Sequence, residues 1–140
     1  MKLFYLCDMK TKTLPKQTEA QLHSQVCQYI KAQYPNAIFN TDMSGIKLTI
    51  GQATKAKKLR SSNNFPDIVI YETNAYFCGL FIELKSEYAR VWKKDGSPAN
   101  DHIKEQCDMS QKLFDRGYES SICVGFEHAK RVIDNYMNLK

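Results

Sequence analysis

The sequence predicts an α/β domain in which a mixed sheet is sandwiched between helices, and three observations carry that prediction. Two runs, 67–71 and 77–85, are dense in β-branched and aromatic residues and are joined by the polar Glu72, Thr73 and Asn74, as adjacent strands are. Apolar residues recur at helical spacing in 18–34, in 100–117 and again around 129–137. A short buried-strand pattern at 121–126 separates the last two, which gives the order αβββαβα once one of the weaker strand signals near 37–40 and 46–50 is counted.

A chain of 140 residues holds one domain with a real core and is too short for two ordinary ones. With 43% hydrophobic and 25% charged residues it has the composition of a globular protein. No apolar run is long enough to span a membrane, and charge interrupts the N-terminal MKLFYLCDMK too early for a signal peptide, so the expected location is the cytosol. Five cysteines, odd in number and without a C-x-x-C pair, are expected to be small buried hydrophobes, and the three histidines lack metal-ligand spacing.

Residues 1–17 read as an N-terminal extension, an arm or strand that begins apolar and turns basic before Pro15, ahead of a single domain at 18–140. Thr18 with Gln21 three residues on makes a capping box for the first helix. Leu22, Val26, Tyr29 and Ile30 form its stripe, Pro35 ends it, and Glu19 projects onto the same sector as Val26 and Ile30. Residues 37–40 suit a first strand, and Ile46, Leu48 and Ile50 alternate like a second. A short helix or turn at 52–59 then carries lysines, and Ser61, Ser62, Asn63 and Asn64 form a loop into Pro66 and Asp67.

Beyond Lys85, Tyr88, Arg90, Trp92 and Lys93 interleave aromatic and basic character before a turn at 95–98. That pattern fits base stacking, and it equally fits a loop packing its one Trp into the core. Asn100 caps the next helix and Gly117 stops it, with Ile103, Cys107, Ser110, Leu113 and Phe114 as the inward stripe and Gln106 inside it. Ala129, Val132, Ile133, Tyr136 and Met137 give the last helix its face.

Charge is unevenly placed. The net charge is only +5, yet between Asp42 and Asp67 there is no acid, while Lys47, Lys55, Lys57, Lys58 and Arg60 all fall there. Such a stretch suits a polyanion or a solvated helix face.

Along 77–85 the period of two puts Phe81, Glu83 and Lys85 on one face and Leu80, Ile82 and Leu84 on the other. An antiparallel pairing of the two strands would bring Asp67 level with Glu83. Two carboxylates beside a lysine have the logic of a magnesium site, since a divalent cation relieves their repulsion. Asp67 as a turn cap, with Glu83 and Lys85 as an i,i+2 ion pair on an edge strand, accounts for the same residues.

Pro66-Asp67 followed by Glu83-Leu84-Lys85 resembles the PD-(D/E)XK signature of restriction-endonuclease-like nucleases. More narrowly, from about Thr18 to the C-terminus the order of elements resembles the virus-type replication-repair nuclease domain, VRR-NUC, of the stand-alone phage and bacterial type. One departure is that Asn64-Phe65 stand where that family often has a Gly ahead of Pro-Asp. The resemblance implies a restriction-endonuclease-like core and a Mg²⁺- or Mn²⁺-dependent endonuclease acting on DNA, including branched DNA such as Holliday junctions, in replication, recombination or repair. It implies Asp67, Glu83, the Leu84 carbonyl and Glu19 around the metal, Lys85 at the scissile phosphate, and Gln106 beside the catalytic Lys and Glu. A homodimer in a bacterial or phage-infected cytosol would be in keeping with it.

Overall fold

The computed structural model describes residues 15–42 and 46–140. In chain order these form α1 (Glu19–Gln33), β1 (Phe39–Thr41), α2 (Ile50–Leu59), β2 (Ile68–Ile70), β3 (Leu80–Lys85), α3 (Asp101–Phe114), β4 (Glu119–Val124) and α4 (Phe126–Asn138). The arm or strand expected at the N-terminus lies, up to residue 14, outside the described residues, as does Cys7.

The strands make one mixed sheet in the order β1-β2-β3-β4. β1 and β2 run antiparallel, as do β2 and β3, whereas β4 returns parallel to β3 through the α3 crossover. Alternation along β2 and β3 sends Ile68, Ile70, Leu80, Ile82 and Leu84 to one face. There they pack with Cys123, with Leu22, Val26 and Ile30 of α1, and with Ala129, Ile133 and Tyr136 of α4. Burial of each large aliphatic chain contributes about 1.5–3 kcal/mol, so this layer fixes the register. On the opposite face, which carries Glu83 and Lys85, α3 packs against β4 and its buried Gln106 reaches Glu83 of β3.

Local signals explain where elements start. Thr18 and Gln21 satisfy each other's backbone N–H at the head of α1, as the sequence predicts. The strand expected at 46–50 does not form: Thr49 and Gln52 make a second capping box, so Ile50 opens α2. Ile46 and Ile50 are 58% and 88% exposed, which removes the buried face an alternating strand needs. β3 begins at Leu80 rather than 77 because the Asn74 side chain accepts from the N–H groups of Tyr76 and Phe77 and holds that stretch in a turn. Cys78 is consequently exposed, against the expectation of a buried thiol; Cys123 is buried, and Cys27 and Cys107 are half-buried. β4 stops at Val124, because Gly125 adopts φ +79 and turns the chain into α4.

The buried stripe of α3 is rotated from the one the sequence suggests. Met109 is buried, whereas Phe114 is 56% exposed and Cys107 and Ser110 are half-buried. The helix lies against β4 with Gln106 reaching Glu83 and leaves Phe114 at a surface cleft.

Candidate active site

Extending the β2–β3 register by one residue beyond Ile68↔Ile82 sets Asp67 opposite Glu83, on the sheet face away from the aliphatic core. The Asp67 Oδ2 accepts from the Leu84 N–H at 2.7 Å, so the first carboxylate is fastened to the strand carrying the second. In an extended strand the N–H and C=O of one residue face the same side, which turns the Leu84 carbonyl toward the same edge. Lys85 Nζ stands 3.1 Å from Glu83 Oε1. Gln106 Nε2, reaching down from α3, donates to that same oxygen.

Glu83, Lys85 and Gln106 are 7%, 8% and 6% exposed, a degree of burial that polar groups reach only when something repays their lost hydration. The repayment within the protein is incomplete. The Gln106 Oε1 is buried without a hydrogen-bond partner among the described residues. Glu83 has its pKa pushed up to about 7, first by desolvation and next by the negative charge of Asp67, against the pull of the Lys85 ammonium; Glu19 adds to the rise. That is the electrostatic state of a carboxylate for which burial and a second negative charge outweigh the ammonium beside it. No group of three or more His, Cys, Asp or Glu among the described residues is arranged to hold a metal ion. A magnesium site asks for less, one or two carboxylates with water and substrate oxygens completing the shell, and the Asp67–Glu83 pair fits that requirement.

Glu19 is exposed in the first turn of α1 rather than facing inward, although its charge is felt at Glu83. At the N-terminus of a helix a carboxylate need not be buried to be stabilised. Lys47, Lys55, Lys57 and Lys58 are exposed, and α2 buries no residue at all. Arg60 differs from them, since its guanidinium is 2.6 Å from Asp42 and is committed to that ion pair.

Three positioning residues were missed by sequence reasoning. The Asp42 N–H donates to the Asp67 carbonyl at 2.7 Å, linking the Arg60 pair to the backbone of the site; its sequence signal was its place as the acid bounding a run of cations. The Gly125 N–H donates to the Lys85 carbonyl at 2.9 Å and fixes the end of β3. Asn64 is the third: at φ 63 it takes the left-handed conformation that a Gly ahead of Pro-Asp would take, and its side chain donates to Glu105 at 3.1 Å. Asn tolerates that region better than other side-chain-bearing residues, so the departure in sequence preserves the turn.

Among solved structures the chain is similar to one described as a VRR_NUC domain protein, with a TM-score of 0.63 and 21% identity over 90% of this chain and 93% of that one. The two share a fold over nearly their whole lengths. No family model matches the sequence. No curated protein matches it either.

Proposed function

We propose that the protein is a divalent-metal-dependent endonuclease that hydrolyses phosphodiester bonds in DNA and selects branched structures, Holliday junctions included, in replication, recombination or repair. The observation that carries this reading is the half-buried Asp67 beside buried Glu83 and Lys85 at the adjoining ends of β2 and β3, with buried Gln106 of α3 on Glu83. The shared fold with a VRR_NUC domain protein supports it. A binding module gains nothing from carboxylates facing phosphates.

Asp67, Glu83 and the Leu84 carbonyl would hold Mg²⁺ or Mn²⁺, with Glu19 helping directly or through water. When bound, such an ion supplies Lewis acidity to the phosphate and lowers the pKa of a water. Lys85 would orient the attacking water and meet charge developing on the phosphoryl oxygens. Gln106 is a positioning residue, since its amide holds Glu83 Oε1 and thereby the direction of the carboxylate. The deciding experiment is cleavage of labelled linear, flap and four-way-junction DNAs with magnesium. Cutting of the branched substrates that EDTA abolishes is expected; binding without cutting in either magnesium or manganese would sink the reading.

The exposed lysines of α2, with Lys47, would hold phosphates away from the scissile bond. Replacing Lys55, Lys57 and Lys58 together by alanine is expected to weaken DNA binding uniformly across sequences. It should also flatten log affinity against log salt by roughly 0.9 per lost contact, or about 2–3 in all. An unchanged slope assigns these residues to solubility.

A further inference from the structure

Between β3 and α3 the chain forms a short hairpin that the site above does not use. Trp92 pairs with Pro98, and the Lys93 N–H donates to the Ser97 carbonyl at 2.8 Å. Gly96 at φ +83 makes the turn, while the Ser97 N–H and hydroxyl donate to Asp95 at 3.0 and 2.6 Å. Buried Val91 anchors the strand before it. Trp92 is therefore held on an ordered support and still keeps 47% of its surface exposed.

It lines a cleft of about 290 Å³ together with Phe114, Ile122, Gln111, Ser110 and Ser120. The cleft has aromatic and aliphatic walls, an amide, two hydroxyls and the Cys107 thiol, and no charged side chain among the described residues that line it. Arg90, Lys93 and Lys94 are exposed on the same segment and outnumber its acid Asp95, whose carboxylate accepts from Ser97. Ile122 is the register partner of Glu83, so one lining residue of the cleft sits one strand spacing, about 4.8 Å, from the strand that carries Glu83. Ser110 lies one turn of α3 beyond Gln106.

We infer that this cleft takes an unpaired nucleobase of the DNA strand, stacked on Trp92, with its neighbouring phosphates on Arg90, Lys93 and Lys94. An uncharged aromatic slot edged with cations matches a base and its backbone. A second copy of the chain matches it less well, because it would bring two basic edges together. The inference rests on the nuclease reading of the adjoining site and narrows its substrate to DNA in which at least one nucleotide near the bond to be cut is unpaired or opens at the branch point. A base inside an intact duplex cannot reach the slot without being extruded.

Trp92 is the single tryptophan of the chain, so its emission reports on the cleft alone. In EDTA, a single-stranded oligothymidylate is expected to quench that emission, whereas a blunt duplex of equal length should bind, as followed by anisotropy, without quenching. Trp92→Ala should weaken single-strand binding by roughly 5- to 150-fold, the range for one lost stacked base, and Trp92→Phe should recover part of it. Binding of the oligothymidylate with unchanged emission, or wild-type affinity in Trp92→Ala, overturns the inference. An emission change that tracks protein concentration without DNA, with a dimer mass in sedimentation, overturns it in favour of a second copy. Quenching in EDTA without any magnesium-dependent cleavage supports the cleft while sinking the nuclease reading, so the two failures are separable.

Discussion

Asp67→Asn is expected to lower magnesium-dependent DNA cleavage by at least about 10²–10³-fold, the scale on which loss of one group stabilising transition-state charge is felt. The substitution is nearly isosteric. Its amide oxygen still accepts from the Leu84 N–H, so the join between β2 and β3 that the carboxylate makes at 2.7 Å persists. What leaves is a negative charge from the pair that would hold the cation. DNA affinity in EDTA should accordingly hold or rise, because the phosphate path has lost a repulsive charge. Thermal midpoint, affinity and cleavage rate on the one purified variant check this. A variant that cuts at the wild-type rate would remove Asp67 from the chemistry, and one that fails to bind would make its role structural.

The second large effect is on stability without metal. Glu83 titrates near 4.5 in an unfolded chain and near 7 in the folded protein, because burial and the Asp67 charge outweigh Lys85. Below 4.5 the side chain is protonated in both states and contributes no pH dependence. As pH rises from there to about 7, the folded protein keeps a proton that the unfolded chain has released, so stability falls across that window, and the contribution of this group is fully lost above it. At about 1.36 kcal/mol per pH unit the loss is roughly 3 kcal/mol, or on the order of 10 °C in thermal midpoint for a domain of this size. Melting in EDTA between pH 4 and 8 measures it. Glu83→Gln, which has no proton to hold, should flatten that limb, and magnesium should restore midpoint at the alkaline end by binding the folded state alone. A slope unchanged in Glu83→Gln would place the titration elsewhere.

The parts legible in the sequence were those set by short-range periodicity. Alternation in β3 separated Glu83 and Lys85 from Leu80, Ile82 and Leu84, and the antiparallel register followed from two strands with a turn between them. Thr18 and Gln21 announced α1 because both halves of the capping box lie in one turn. The same signal existed at Thr49 and Gln52, but the alternation of Ile46, Leu48 and Ile50 competed with it, and nothing local says that no sheet is there to receive those residues. Sequence projection placed Gln106 inward correctly and Phe114 inward wrongly, since a helix projection gives angles relative to its own axis and not the tilt at which the helix lies on the sheet. The commitment of Arg60 to Asp42 was also out of reach, because charge runs do not disclose which cations are already paired.

Asn64 carries a consequence for precision. Catalytic groups must be held to within about half an ångström, and the loop into β2 and the helix α3 arrive from parts of the chain 41 residues apart. The Asn64 amide grips Glu105, whose neighbour Gln106 grips Glu83, while Asp67, three residues after Asn64, grips the backbone of Leu84. These links close a loop, like the members of a braced frame, in which shifting any one element strains the others. A glycine would have supplied the turn and left the frame open on that side.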